Sequence, residues 1–114
     1  MATFTKVKLS ESTNGRQIKV VQTATAGTLI HTCHATAQDE LTLYAYNGHT
    51  ADVVLTLELG GVSTPDDTIV QTITFKTGLT KILDGQPLTG SVAIRAFAPT
   101  PNVIMISGYV NRIA

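Results

Sequence analysis

A short segment, HTCH, carries the side chains of this chain that are best suited to metal binding or nucleophilic chemistry. Imidazole and thiolate groups are good zinc ligands. On a strand, His31 and Cys33 share one face while His34 points to the other, so a single strand supplies two ligands and not a site. His49, Asp39 or a neighbouring subunit would have to supply a third. Because the spacing matches no CxxC or HxxxH arrangement, we assign no metal site and interpret these as strand residues near a loop or subunit contact.

The sequence contains no arrangement that names a catalytic mechanism. The loop pair Asp66-Asp67 has no DxDxDG pattern around it to supply the about six to eight oxygens of a calcium site. We interpret Asp39-Glu40 as the start of a strand, and Gly60-Gly61 belongs to no phosphate-binding pattern. No GxSxG elbow surrounds a serine, and Cys33 and His34 are expected on opposite strand faces. We therefore predict no catalytic residue, no cofactor, no small-molecule substrate and no enzymatic activity.

Charge and cysteine content exclude further classes. Eight basic and eight acidic residues give a formal net charge of zero, and the basic residues are not clustered, so nucleic acid is not an expected partner. The opening MATFTKVKLS lacks the apolar region and cleavage site of a signal peptide, and no apolar run is long enough to span a membrane. Cys33 is the only cysteine, which is typical of synthesis in a reducing cytoplasm.

The stretch Leu41 to Leu59 shows the strongest structural pattern. Apolar residues alternate with others on both sides of Asn47-Gly48, and a period of two indicates strands. Asn-Gly favours positive φ, so the stretch predicts a β-hairpin with a loop longer than two residues. The leucine face of this hairpin must be covered by another layer.

Similar alternation predicts the remaining strands, with a turn signal about every ten residues and no helical period. A turn is predicted at 84–87, and the segment 1–8 is a possible N-terminal arm. The pattern predicts one all-β domain over 1–114, an antiparallel β-sandwich of eight to nine short strands. At eight strands in a little over 100 residues, a jelly roll is preferred over an immunoglobulin-like sandwich, which would here lack the Cys…Trp…Cys core. The predicted strands beyond the hairpin are 17–22, 28–33, 68–75, 79–83, 91–97 and 102–113.

The surface composition suggests an assembly. Charged residues make up 14% of the chain, against about 25% in an average domain. Nineteen threonines suit the outer faces of strands. Tyr44 and Tyr46 share the face opposite the leucines, which we interpret as a half-buried strand face. A stacking platform on these tyrosines, in a carbohydrate- or surface-binding module, is the alternative.

Four segments carry a resemblance to a known group of proteins. The opening MATFTKVKLSxSTxGRxIKV, the segment GTLIHT, the strand DELTLYAYN and the ending GYVNRI resemble small tailed-bacteriophage virion proteins of the capsid decoration, or cement, type. The resemblance implies a β-sandwich that binds the outside of an icosahedral shell, as a homotrimer at three-fold positions. It implies the major capsid protein as partner and the virion surface as location.

The resemblance also implies that an N-terminal segment contributes to capsid or subunit contacts. By this carry-over we predict an interface formed by a run of six residues: Thr3, Phe4, Thr5, Lys6, Val7 and Lys8. A component of the tail, fibre or head–tail connector is the alternative within virions. Such a component predicts a ring or rod assembly with no affinity for empty shells.

Overall fold

A computed structural model describes residues 3–114 as nine β-strands with no helix. Accordingly, this part of the chain has no helix long and apolar enough to cross a membrane. The strands form two antiparallel sheets, so the predicted all-β sandwich is confirmed. In chain order they are β1 Phe4–Val7, β2 Ile18–Lys19, β3 Thr28–Thr32, β4 Gln38–Asn47, β5 Val53–Leu59, β6 Thr68–Ile73, β7 Thr80–Leu88, β8 Ala93–Phe97 and β9 Ile104–Ile113.

The two sheets have interleaved strand orders. Sheet A runs β1-β9-β4-β7, with β2 also paired to β9, and sheet B runs β3-β8-β5-β6. All connections except β1–β2 and β5–β6 pass from one sheet to the other. The choice of a jelly roll over an immunoglobulin-like sandwich stays a prediction.

The core lies between the two sheets and follows the alternation of the strands. On β4, the side chains at 41, 43 and 45 are buried, and on β5 those at 53, 55 and 57 are buried. They meet inward-facing apolar residues of the other strands. Each fully buried leucine or isoleucine contributes about 1.5–3 kcal/mol. The apolar cluster therefore holds the two sheets together.

The expected hairpin of β4 with β5 is wrong, because these strands lie in different sheets. The side chain of Asn47 explains the connection. Its amide nitrogen donates to the carbonyl oxygens of Ala51 at 3.0 Å and Ile73 at 2.8 Å, and its oxygen accepts the N–H of His49 at 2.9 Å. These bonds hold the chain as it crosses the sandwich, and the two leucine faces cover each other.

The expected turn at 84–87 is also wrong, because these residues lie within β7. The pairing of β7 with β4 shifts register near Leu43. Gly85 has φ +66, and its N–H donates to Thr42 Oγ1 at 3.1 Å. Turn-forming residues here produce a bulge. Pro87 is tolerated because β7 is an edge strand.

The segment considered as an arm is paired along sheet A from its third residue. Residues 4–7 form β1, antiparallel to 110–113 of β9. Thr3 and Ala114 exchange two backbone hydrogen bonds of 2.9 Å. Residues 1–2 of the expected arm lie outside the described residues.

Candidate functional site

A buried polar cluster lies at one end of the sandwich. His31 belongs to β3 of sheet B, whereas Asp39 on β4 and Arg112 on β9 are directly paired in sheet A. Leu41 and Val110 are buried and lie two residues away, so Asp39 and Arg112 project into the same interior. The cluster therefore bridges the two sheets with polar contacts.

The carboxylate of Asp39 accepts four hydrogen bonds. Arg112 donates two, Nε to Oδ1 at 2.8 Å and a terminal nitrogen to Oδ2 at 3.0 Å. The His31 ring and the His34 backbone N–H lie 3.0 and 3.1 Å from Oδ2. Burial alone would raise the pKa of Asp39, but hydrogen bonds from Arg112, His31 and His34 together lower it to about 2. The bond to Asp39 raises the pKa of Arg112 above its ordinary value.

Both nitrogens of the His31 ring are used. The backbone N–H of Ser10 donates to Nδ1 at 2.9 Å, which leaves the ring proton on Nε2, where it is donated to Asp39. The Ser10 hydroxyl oxygen in turn accepts the N–H of Thr32 at 2.8 Å. The loop between β1 and β2 is thereby fastened to β3.

The structure brings together one of the possible ligand sets left open by the sequence. Ligand atoms of His31, Cys33 and Asp39 lie within 4.8 Å of one another. His34 is exposed, and its Nδ1 accepts backbone N–H groups of its own turn, while His49 lies in the β4–β5 connection. Burial, and secondarily the charge of Asp39, raises the pKa of Cys33 to about 11, so the thiol stays protonated.

The hydrogen bonds favour a structural role for this cluster over a metal centre. A cation bound among its three groups would have to replace the Nε2 proton of His31, ionise Cys33 and compete with the guanidinium of Arg112 for Asp39. The sequence reasoning missed Arg112. Its signal was the alternation with Val110, Ile106 and Ile104, which places an arginine on an inward face.

A second buried carboxylate, Glu58, fastens the β2–β3 connection. Glu58 is on β5, and its oxygens accept hydrogen bonds from the Thr25 hydroxyl and from the N–H of Gly27, the latter at 2.7 Å. Arg95 on β8 donates to the Gly27 carbonyl at 3.2 Å. The carboxylate is occupied by the chain itself, so this arrangement also has a structural role.

The predicted interface segment divides between surface and core. Phe4 is 73% exposed, the highest value for a large hydrophobic residue among residues 3–114. Thr3, Thr5 and Lys8 are exposed, and Val7 packs against the core. The ammonium of Lys6 lies 4.5 Å from the Tyr109 ring centre. We name the outward group Phe4, Lys6, Tyr109 and Ile113 the β1 surface.

Tyr44 and Tyr46 lie on the outward face of sheet A and are half-buried. Tyr109 is on the same face of the adjacent strand, since the inward residues of β9 are Ile106 and Val110. The ammonium of Lys81 lies 6.0 Å from the ring centre of Tyr44. Three tyrosines therefore share one face, of which sequence reasoning had identified two.

Comparison of this chain with protein-family models, with curated proteins and with solved structures gives no match in any of the three cases.

Proposed function

We propose that this chain is a structural protein of a tailed-bacteriophage virion, which binds the outer capsid surface as a decoration or cement protein. The resemblance of its four segments to such proteins supports this proposal, as does the low content of charged residues. The observation that carries it is the exposure of Phe4, at 73%, within the segment that the resemblance assigns to contacts. Contiguous apolar patches, and not single exposed residues, mark contact sites, and Phe4 lies beside the partly exposed Ile113.

The β1 surface supplies the contact in this proposal. Phe4 and Ile113 are paired neighbours across β1 and β9, and Lys6 adds a positive charge beside them. Full burial of a phenylalanine contributes about 1.5–3 kcal/mol. The major capsid protein is the partner, and the resemblance implies that subunits meet as trimers on the shell. Binding only to the assembled shell stabilises it by mass action.

Co-sedimentation tests the proposal. Empty shells assembled from the major capsid protein encoded in the same genome would be mixed with the purified chain and pelleted. We expect the chain to pellet with the shells. We expect Phe4→Ala to weaken binding by about tenfold to a hundredfold, because a lost burial energy of about 1.5–3 kcal/mol corresponds to that range. Val21→Ala is the matched control, because Val21 is also an exposed apolar residue, in the β2–β3 connection.

Two results would contradict the proposal. A wild-type chain that stays in the supernatant with intact shells has no cement role, and a ring-shaped assembly would then favour the tail or connector alternative. Equal binding of wild type and Phe4→Ala would remove the β1 surface from the contact.

A carbohydrate-binding module is the second candidate, favoured by the three tyrosines on the outward face of sheet A. Aromatic faces stack on sugar rings, and Lys81 lies beside one of them. This candidate predicts saturable glycan binding by the free chain that is lost in Tyr44→Ala or Tyr46→Ala. Screening on a glycan array, with Phe4→Ala as the control, separates it from the cement role.

A further inference from the structure

Each sheet of the sandwich ends in two edges. A strand at an edge presents unpaired backbone N–H and C=O groups, and proteins usually block such edges against pairing with other chains. In residues 3–114 the edges are β7 and the β1/β2 pair in sheet A, and β3 and β6 in sheet B.

Both edges of sheet A are blocked. Strand β7 contains Lys81 and Pro87 and is bulged near Gly85, and charge, proline and bulges all oppose pairing. On the other side, the edge is split between two short strands, β1 and β2. Each of them carries a lysine, Lys6 or Lys19. A second chain finds no continuous neutral strand at either edge.

The β3 edge of sheet B is covered by the chain itself. The N–H of Glu11 donates to the Ile30 carbonyl, and Ser10 bonds to both His31 and Thr32. The pairing of β3 with β8 also contains an irregularity between residues 29 and 31. The loop between β1 and β2 thus lies where an added strand would have to bind.

Strand β6 has none of these protections. Its sequence, TIVQTI, contains no charged residue and no proline. Its register with β5 continues without a shift over six residue pairs. Val70 is 60% exposed and Ile69 is 38% exposed. A regular, neutral, partly apolar edge strand is a site for pairing with another chain.

The direction of the free backbone groups on β6 follows from the pairing. The N–H of Leu59 donates to the Asp67 carbonyl, so residue 67 and, in alternation, 69, 71 and 73 direct their backbone groups toward β5. Thr68, Val70 and Thr72 then direct theirs away from the sheet. Three consecutive alternate residues therefore have an N–H and a C=O available to a second strand.

We propose that β6 pairs with β6 of a second copy of this chain, antiparallel about a two-fold axis at Val70. A second copy is the occupant because β6 is the one unblocked edge that the described chain offers. Its neutrality means that self-pairing sets no like charges opposite each other. In this register Val70 lies opposite the partner's Val70, and Thr68 lies opposite the partner's Thr72. The free backbone N–H and C=O groups of Thr68, Val70 and Thr72 then all form hydrogen bonds with the second strand. The pairing joins two four-stranded sheets into one of eight strands.

This inference rests on the sheet edges and is independent of the proposed virion function. Shell binding fails or succeeds through the β1 surface, on the other sheet, whereas the pairing is measured on the free protein. On an icosahedral shell, two-fold and three-fold contacts coexist, so β6 pairing is compatible with trimers bound there.

Light scattering on the purified chain provides the first test. We expect twice the chain mass of 12.1 kDa at micromolar concentration. Val70→Lys places two ammonium groups opposite each other at the axis and should give a monomer with an unchanged circular dichroism spectrum. Val21→Lys is the matched control and should stay dimeric. A monomeric or trimeric wild type, or a Val70→Lys protein that remains dimeric, overturns the proposal.

Disulfide trapping provides a second test, which determines the register between the two copies of β6. Val70→Cys should form a disulfide-linked dimer under oxidation, since paired residues of adjacent strands are about 5.5 Å apart at Cα. Thr72→Cys alone should not, because its copies lie about 13 Å apart along the strands. Mixing Thr68→Cys with Thr72→Cys should restore the link. The native Cys33 is buried. Efficient linking of Thr72→Cys alone, or none in Val70→Cys, overturns the two-fold register.

Discussion

Asp39 is the residue on which the polar end of the sandwich depends. It is fully buried, and four donors from three parts of the chain converge on its carboxylate. Asn at this position would present N–H groups toward donors and leave Arg112 without its anion. Breaking a buried ion pair on one side costs about 3–5 kcal/mol.

We therefore expect Asp39→Asn to lower the free energy of unfolding by about 3 kcal/mol, measured by urea denaturation. Asp66→Asn is the matched control, since Asp66 is exposed, and it should change stability by less than about 0.5 kcal/mol. An equal loss of unfolding free energy in Asp39→Asn and Asp66→Asn would show that the buried cluster does not stabilise the fold.

The same carboxylate makes stability depend on acid pH. The pKa of Asp39 is lowered from 3.8 to about 2 in the folded protein, so its stabilisation is complete above pH about 4 and is lost as pH falls toward 2. This corresponds to about 2 kcal/mol. We expect the stability difference between wild type and Asp39→Asn to shrink over this window, measured by urea titrations at each pH. A constant difference would contradict the assignment.

A structural role for His31, Cys33 and Asp39 has a consequence for metal binding. His31 and Asp39 are engaged in hydrogen bonds, and the thiol of Cys33 stays protonated. We therefore expect that neither added Zn²⁺ nor a chelator shifts the melting temperature. Asp66→Asn serves as a control for nonspecific surface binding. A rise of several degrees with stoichiometric Zn²⁺, absent in Cys33→Ala, would instead identify a metal site.

The sequence identified three members of this cluster but not the hydrogen bonds that connect them to Arg112. His31, Cys33 and Asp39 were each considered, whereas their partner Arg112 is 73 residues from Asp39. Local spacing contains no information on contacts between strands so far apart. Alternation alone does place Asp39 and Arg112 on leucine- and valine-bearing faces, and a charge on such a face signals a buried partner.

At the scale of elements, the contact of β9 with β4 depends on one glycine. Gly108 lies opposite Leu43 in the register, with φ +156, and a Cβ there would overlap the Thr42 carbonyl oxygen. The overlapping atoms belong to the backbone, so the overlap cannot be relieved by rotating a flexible side chain. The close approach keeps the two longest strands paired over ten residues.

We accordingly expect Gly108→Ala to destabilise the protein by about 2–4 kcal/mol, or to prevent folding, measured by thermal and urea denaturation. Gly48→Ala is the matched control. A Cβ at Gly48 would meet the Tyr46 ring at 3.3 Å, and a side chain can shift. Comparable stability of the two variants would argue against the close approach.

The strands were predictable and their partners were not. Alternation located β3, β5, β8 and β9 to within a few residues, because the buried face imposes a period of two. It did not show that β4 and β5 lie in opposite sheets, because Asn-Gly suits an open connection as well as a hairpin. The amide of Asn47, bonded to Ile73 twenty-six residues away, decides between the two. The residues at 84–87 are typical of a turn, but within β7 they form a bulge in the pairing with β4.

At the scale of the whole molecule, β1 covers residues 110–113 on the side of β9 that β4 leaves open. We expect a chain lacking residues 1–7 to be less stable and to associate at lower temperature, since four backbone pairs and the packing of Val7 are lost. Light scattering during heating measures this. Phe4→Ala keeps β1 and is the control. Identical association temperatures for truncated and full chains would contradict a protective role for β1.

The central position of β9 sets the order in which a newly made chain acquires its shape. Strands β1, β2 and β4 all pair with β9, which is translated after them. While residues 104–113 are still inside the ribosome, sheet A lacks its central strand, and most of its interstrand hydrogen bonds cannot form. Sheet A therefore acquires its full set of strand pairs only once translation has passed β9.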